Sequence, residues 1–100
     1  MNITIETTNG TTTARLEGRL DTPASAVATP YVDQIQEHAD GTVVLDCTDL
    51  SYIASSGLRL FLTLRKVAIA KGGKVIVKNI NDTIRQVFMM TGFLNMFEIQ

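Results

Sequence analysis

The sequence predicts an α/β domain in which helices pack on a single mixed, mostly parallel sheet, with the element order ββαβαβαβ. The apolar runs Thr42–Asp46 and Lys74–Lys78 do not alternate with polar residues, which is typical of strands covered on both faces. The segment Gly57–Lys71 between them repeats its apolar residues with helical spacing. A strand, a helix and a strand joined by short connections form a crossover, so these two strands should be parallel.

Length and composition predict one domain, residues 1–100, without a linker or a repeat. The 100 residues carry a formal net charge of −1, so charge alone attracts neither nucleic acid nor an anionic membrane. The single cysteine, Cys47, cannot form an internal disulfide. No basic start or long apolar run indicates a signal peptide or a membrane span. We therefore expect a cytoplasmic protein that acts through a shaped surface.

The chain should begin with a β-hairpin. Ile3 and Ile5 alternate with polar residues before Asn9-Gly10, and Ala14 and Leu16 alternate with polar residues after it. An Asn-Gly pair supplies the positive φ values of a two-residue type I′ turn. Such a turn pairs the two strands in a register that makes one face of the hairpin apolar.

A first helix should follow the end of the second strand at Gly18–Asp21, with Thr22 as its N-cap and Pro23 at its first position. Pro30 lies inside the helical pattern and must remove one backbone hydrogen bond. We therefore expect a kink there, or a new helix start capped by Thr29. The apolar residues that recur at helical spacing are Ala24, Val27, Ala28, Tyr31 and Ile35.

The polar stretch after Asp46 should be a loop that leads into the second helix at Ser55-Ser56-Gly57. Two hydroxyls beside a glycine at a helix entrance are compatible with a nucleophile, a phosphate acceptor or a plain N-cap. The pair Gly72-Gly73 should end this helix. Asn81-Asp82 should cap a third helix, and Phe97–Ile99 should form a short last strand.

The sequence does not supply the partners that a catalytic serine needs. A nucleophilic serine requires a base, and the only histidine, His38, lies at the end of the first helix among charged residues. The segment Ala54-Ser55-Ser56-Gly57 also lacks the first glycine of a G-x-S-x-G elbow. We therefore predict no enzymatic activity and no catalytic residue, with a small hydrolase as the disfavoured alternative.

Asp46 and Asp49 could form a paired-carboxylate or magnesium site, since Asp46 ends a parallel strand, where α/β proteins often bind ligands. Two acids three residues apart in a turn more often accept hydrogen bonds from nearby backbone N–H groups. One cysteine and one histidine do not make a zinc site. The sequence therefore predicts no metal ion and no cofactor.

The second helix should carry a polar stripe and a wide apolar face. Leu60 flanks the polar stripe near the serines, so we expect it to lie on a partner surface. Met89 and Met90 on the last helix could add flexible apolar contact area. The polar stripe consists of Arg59, Thr63, Lys66 and Ala70, and the apolar face of Leu58, Phe61, Leu62, Leu64, Ala68 and Ile69.

Four segments occur in a characteristic order along the chain. They are Gly18–Asp21 (GRLD), Val44–Asp46 (VLD), Leu50–Leu58 (LSYIASSGL), and Thr91–Phe93 (TGF) ahead of Phe97–Ile99. In this order they resemble the STAS domain, and more narrowly the stand-alone bacterial anti-sigma factor antagonist. The resemblance spans Ile3 to Ile99 and agrees with the element order given above.

This resemblance implies a binding switch. Proteins of this kind bind an anti-sigma factor that is also a serine kinase, and they release the sigma factor that it holds. The kinase phosphorylates a serine at the start of the second helix, and a phosphatase removes the phosphate. The family's D-S-S-G-L pattern places the acceptor on Ser55, although its usual aspartate is Ala54 here. The implied partner surface comprises Asp21, Ser55, Ser56, Gly57 and Leu60.

The family also includes a second role, that of a small cytoplasmic subunit bound to a lipid-transport ATPase. A Ser-Ser pair at the start of a helix fits that role too. Neighbouring genes would discriminate between the two, since one role requires a serine-kinase anti-sigma factor and the other a transporter permease and ATPase.

Overall fold

The computed structural model describes residues 1–100 and contains a five-stranded sheet with three α-helices. The element order is the predicted ββαβαβαβ, with one short 3-10 helix inserted before the last strand. The strands are β1 (Asn2–Thr8), β2 (Thr11–Leu20), β3 (Thr42–Ile53), β4 (Lys74–Lys78) and β5 (Glu98–Ile99). The helices are α1 (Thr22–Gln36), α2 (Ser55–Ala70), α3 (Asp82–Thr91) and the 3-10 helix Phe93–Asn95.

The sheet has the strand order β1-β2-β3-β4-β5, in which only the β1–β2 pair is antiparallel. The predicted crossover is confirmed, since Thr42–Asp46 pairs residue by residue with Lys74–Lys78 in parallel register. The predicted hairpin is confirmed as well. Its turn residues Asn9 and Gly10 have φ values of 51° and 78°, and its strands pair in the predicted register.

The helices pack on one face of the sheet. Strand residues of that face form one contiguous apolar cluster with residues of all three α-helices. In β3, Val43, Leu45 and Cys47 are buried in this cluster, whereas Val44 between them is half-buried on the other face, beside Ile76 of β4. The expectation that both runs are covered on both faces is confirmed for β4, where Val75, Ile76 and Val77 are all buried, but was wrong for β3, where Val44 is only half-buried. Neither run alternates, because Val44 and Ile76 form a cross-strand apolar pair on the face away from the helices.

Strand β3 does not end at Asp46, where the sequence predicted the start of a polar loop. It continues to Ile53 and pairs with the second half of β2, so that Gly18 lies beside Leu50. The pairing contains register shifts, which break the regular alternation by which a strand is recognised. As a consequence β2 and β3 end side by side, since Leu20 is the partner of Ile53.

Helix α1 begins at Thr22, one residue earlier than a Thr22 cap would allow, because Asp21 is the N-cap. The Asp21 carboxylate accepts a hydrogen bond from the Ala24 N–H at 3.0 Å, so the assignment of the cap to Thr22 was wrong. The helix is unbroken at Pro30, and the new start capped by Thr29 was also wrong. The Thr29 hydroxyl instead donates to a backbone carbonyl of the preceding turn. The buried stripe is Ser25, Ala28, Val32 and Ile35, while Val27 and Tyr31 of the predicted stripe are exposed.

Helix α2 begins at Ser55, two residues before the predicted Gly57, because Ala54 already has the extended N-cap conformation. It ends as predicted at the Gly72-Gly73 pair, whose first glycine has a φ of 81°. Its buried face agrees with the prediction except near the end, where Ile69 is exposed. Only one residue, Ala54, therefore separates the end of β3 from the start of α2.

The third helix and the C-terminal segment close the core. Asn81 caps α3 as predicted by accepting a hydrogen bond from the Ile84 N–H at 2.8 Å, and Gly92 ends the helix with a φ of 78°. No helix is both long enough and apolar enough to cross a membrane. Phenylalanine rings with centroid distances between 5.4 and 6.4 Å join α2 and α3 to the last segment; they are Phe61, Phe88, Phe93 and Phe97.

Candidate functional site

The N-termini of α1 and α2 meet at the edge of the sheet where β2 and β3 end. A hydrogen bond of 2.9 Å from the Ala54 N–H to the Leu20 carbonyl holds the two strand ends together. Asp21 follows Leu20 and opens α1, and Ser55 follows Ala54 and opens α2. The GRLD and ASSGL segments therefore lie side by side, although more than thirty residues separate them in sequence.

Ser55 is exposed at the first position of α2. Its hydroxyl makes no hydrogen bond within the chain, so it is free to meet another molecule. Ala54 occupies the N-cap position and offers no side-chain acceptor to the N–H groups of the first helical turn. Because such N–H groups carry partial positive charge, this end of α2 favours a negatively charged group.

Ser56 is half-buried and is bonded to α1. Its Oγ lies 3.0 Å from Oγ of Ser25 and 3.5 Å from Oγ1 of Thr22. Ser56 therefore does not act as an N-cap of α2, because its hydroxyl is bonded to α1 and not to backbone N–H groups of α2. The two adjacent serines have different environments, one open to solvent and one held between helices.

Gly57 is buried and allows α2 to approach the strand ends closely. A Cβ at this position would lie 2.8 Å from Cδ2 of Leu20 and 2.9 Å from Cγ1 of Ile53. These distances are shorter than side chains tolerate without a shift. Gly57 therefore belongs to the site because it fixes where α2 begins, and not through an exposed surface of its own.

Asp21 is half-buried and fixes the start of α1. Its carboxylate caps the helix through the Ala24 N–H, and its carbonyl accepts hydrogen bonds from the backbone N–H and the hydroxyl of Ser25, both at 2.8 Å. Nearby on the same strand ends, the Arg19 guanidinium stacks on the Tyr52 ring with its central carbon 4.4 Å from the ring centroid. Such a cation–π contact orders the GRLD segment beside the serines.

Leu60 lies on the side of α2 that faces α1. It is half-buried and lines an apolar recess between the two helices, together with Tyr31 and Leu64. Helical spacing places Leu60 four residues after Ser56, whereas Arg59 lies four residues after Ser55 and shares its exposed face. The sequence reasoning assigned Arg59 only to the polar stripe, although the same i, i+4 spacing already linked it to Ser55.

Ser25 was not among the residues that the sequence indicated. It occupies the buried stripe of α1, where it is 6% exposed among alanine, valine and isoleucine side chains. The sequence does contain a signal for this residue, because Ser25 lies three positions before Ala28 and seven before Val32 and so shares the apolar face of the helix. A buried hydroxyl needs a hydrogen-bond partner, and the partner across the helix interface is Ser56.

The other candidate residues lie away from this edge. His38 is exposed after the C-terminal end of α1, beside Gly10 and Gly41, whereas the serines meet the N-terminal end of that helix. Ser55 and Ser56 lie near the N-terminal end of α1, whereas His38 lies beyond its C-terminal end. Neither serine can therefore form a catalytic pair with His38.

The two acids at the end of the first half of β3 are engaged locally. Asp46 accepts hydrogen bonds from the Thr48 hydroxyl at 2.6 Å and from the Thr48 N–H at 3.1 Å, and these bonds hold the pKa of Asp46 below its usual value. Asp49 forms an ion pair of 2.7 Å with Arg15. No group of three or more His, Cys, Asp or Glu side chains is placed to hold a metal ion.

Comparisons with known proteins agree with this geometry. The family model described as the STAS domain matches residues 2–100. The anti-sigma F factor antagonist of Paenibacillus polymyxa is 30% identical over 102 aligned residues, which cover 99% of this chain and 87% of that protein.

Two solved structures of SpoIIAA are also similar to this chain in fold and sequence. The anti-sigma factor antagonist SpoIIAA in its unphosphorylated form has a TM-score of 0.75 and 25% identity, covering 99% of this chain and 87% of that chain. The Bacillus cell fate determinant SpoIIAA in its phosphorylated form has a TM-score of 0.75 and 26% identity, covering 99% and 91%.

Proposed function

The chain belongs to the STAS domain family, and we propose that it acts there as an anti-sigma factor antagonist. In this role it binds an anti-sigma factor that has serine kinase activity and releases the sigma factor that the kinase holds. Phosphorylation of Ser55 switches the binding off, and a phosphatase restores it. The protein itself is not an enzyme in this proposal, and it needs no cofactor or metal ion.

The observation that carries the proposal is the state of the Ser55 hydroxyl. It is exposed and makes no hydrogen bond, and it stands at the first position of a helix whose N-cap lacks a side-chain acceptor. It also lies beside the GRLD segment, which the family resemblance places on the same partner surface. An acceptor serine must present its oxygen to another protein's active site, and Ser55 meets this requirement.

The proposed modification transfers one phosphoryl group from ATP bound to the kinase. A lone pair of the Ser55 Oγ attacks the γ-phosphorus, and a new O–P bond forms. The bond from that phosphorus to the β-phosphate oxygen breaks, and ADP leaves with the electron pair. The hydroxyl proton passes to a base of the kinase. All catalytic groups belong to the kinase, so this chain supplies only the positioned oxygen.

The phosphate should change binding and leave the fold intact. A phosphoserine adds about −1.5 to −2 charges at neutral pH, and the free N–H groups at the start of α2 favour such a charge. Structures of SpoIIAA in its unphosphorylated and its phosphorylated form each match this chain with a TM-score of 0.75, so both forms have this fold, in keeping with a switch that does not unfold the chain. A partner that fits the neutral surface must instead desolvate a doubly charged group, which costs binding free energy.

The proposed partner surface combines four exposed or half-buried residues with one that shapes it. Gly57 sets the position of α2, and Leu60 adds apolar contact beside the recess between α1 and α2. The surface comprises Asp21, Ser55, Ser56, Gly57 and Leu60.

We place the protein in the cytoplasm, where its partners act, and assign it no direct contact with nucleic acid or membrane.

A sigma-release assay tests this function. A complex of the sigma factor with the cognate serine-kinase anti-sigma factor is mixed with the unphosphorylated chain, and free sigma factor is measured. We expect release by the wild type and by a Thr8→Asp variant, which places a new charge at the far end of the sheet. Ser55→Asp should not release sigma factor. Failure of the wild type to bind the kinase would contradict the proposal.

A further inference from the structure

Ser25 of α1 and Ser56 of α2, the serine next to the proposed acceptor, are joined by a hydrogen bond of 3.0 Å between their hydroxyl oxygens. Ser25 Oγ also lies 2.8 Å from the carbonyl oxygen of Asp21. A carbonyl oxygen can only accept, so the single hydroxyl proton of Ser25 is directed to Asp21. Ser25 must then accept in its contact with Ser56, and the Ser56 hydroxyl is the donor.

We propose that Ser25 is a positioning residue that restricts phosphorylation to Ser55 by holding the proton and the rotamer of Ser56. This inference rests on the proposed function, since it concerns which of two adjacent hydroxyls the kinase modifies. Sequence alone offers both serines at the helix entrance. The helix interface distinguishes them, because α1 binds one hydroxyl and leaves the other in solvent.

The chemistry of phosphoryl transfer explains the selection. The attacking oxygen forms a bond to the γ-phosphorus of ATP, the bond to the leaving ADP breaks, and the hydroxyl proton goes to a base of the kinase. Ser55 can give its proton to that base at once. Ser56 must first break its hydrogen bond to Ser25 and turn out of the helix interface. Because this bond must be broken before Ser56 can react, it slows phosphorylation of Ser56 by roughly three- to tenfold.

The local structure favours Ser25 over other residues in this role. Thr22 Oγ1 lies 3.5 Å from the Ser56 oxygen, at the limit of a hydrogen bond, and Thr22 is exposed. Ser25 is buried at 6% exposure and is itself fixed by its bond to the Asp21 carbonyl. An acceptor that cannot move holds its donor more firmly than an exposed side chain does.

Phosphate mapping in a Ser55→Ala background tests the inference. The Ser55→Ala chain and the Ser55→Ala, Ser25→Ala chain are incubated with the anti-sigma kinase and ATP, and phosphate on Ser56 is measured by mass spectrometry. We expect roughly three- to tenfold more phosphate on Ser56 when Ser25 is alanine. Thr29→Ala is the matched control, because it removes another hydroxyl of α1 that has no contact with Ser56. Equal labelling of Ser56 with and without Ser25 would overturn the inference.

A second measurement does not depend on the kinase. Three-bond Hα–Hβ couplings in NMR spectra report the side-chain rotamer of Ser56. We expect one rotamer in the wild type and in Thr29→Ala, and averaged couplings in Ser25→Ala. Unchanged couplings in Ser25→Ala would show that Ser25 does not hold Ser56. If the wild type accepts no phosphate, the proposed function fails, and these couplings alone decide whether Ser25 holds Ser56.

Discussion

The Cα of Gly57 faces the side chain of Leu20 so closely that a Cβ there would lie 2.8 Å from both Cγ and Cδ2 of the leucine. Gly57 is in the first turn of α2, and Leu20 is the last residue of β2. The contact brings the serine-bearing end of α2 against the strand that leads into Asp21. One missing side chain therefore determines how the two halves of the proposed partner surface meet.

Gly57→Ala should destabilise the fold, although alanine is normally the better helix residue. Helix propensity favours alanine by about 1 kcal/mol, but overpacking a close contact costs about 1–3 kcal/mol. Chemical denaturation measures the free energy of unfolding. In a Leu20→Ala background the same substitution should cost less, because one of the two clashing side chains, Leu20 and Ile53, is then truncated. A gain in stability from Gly57→Ala alone would show that the close contact is not a constraint.

Ser55→Asp should leave stability nearly unchanged and weaken partner binding. A surface substitution away from the core usually changes the free energy of unfolding by less than about 0.5 kcal/mol, and an acid suits a helix N-terminus. Binding to the anti-sigma kinase should fall by about tenfold or more, which corresponds to about 1.4 kcal/mol. Calorimetric titration measures this, with Thr8→Asp as the control. Wild-type affinity in Ser55→Asp would contradict a switch at this residue.

Ala54→Asp should stabilise α2, because the alanine at the N-cap of the wild-type helix has no side-chain acceptor. An aspartate or asparagine cap contributes about 1 kcal/mol relative to alanine, so the thermal midpoint should rise for both Ala54→Asp and Ala54→Asn. If the kinase recognises the charge of the family's usual aspartate, only Ala54→Asp should also speed phosphorylation of Ser55. An unchanged midpoint in both variants would mean that the cap is not limiting.

Cys47 should react with alkylating reagents only when the chain opens. Its side chain is fully buried, and burial raises the pKa of the thiol to about 12. The folded pKa lies above the ordinary value of 9.0, so the folded state holds the proton more tightly and stability should fall as the pH rises from about 9 to about 12. Iodoacetamide labelling at pH 8, with and without denaturant, checks the first statement. Rapid labelling of the native chain would contradict it.

The fold was predictable wherever local chemistry and tertiary structure agree. Asn9-Gly10 adopts the turn that its residue types favour, and the two apolar runs pair in parallel around α2 as their spacing predicts. The second half of β3 was missed because register shifts against β2 remove its alternation. The N-cap of α1 was misplaced by one residue because Asp21 and Thr22 are both good caps, and the end of β2 at Leu20 decides between them.

The site was predictable only in part for a related reason. The family motif and the helix entrance indicate Ser55 without knowledge of its surroundings. The difference between Ser55 and Ser56 depends on Ser25, which lies about thirty residues earlier and reaches Ser56 only because α1 and α2 pack together. Such a contact leaves one trace in the sequence, a hydroxyl on an apolar stripe, and that trace does not identify its partner.

Phosphate mapping of the wild-type chain tests the central claim most directly. The chain is incubated with its cognate serine-kinase anti-sigma factor and ATP, and the peptide that covers residues 46–59 is analysed by mass spectrometry. We predict one phosphate, located on Ser55, and none on Ser51 or Ser56. Phosphate on either of those serines, or no phosphate under conditions where the chain binds the kinase, would contradict the assignment of Ser55 as the switch.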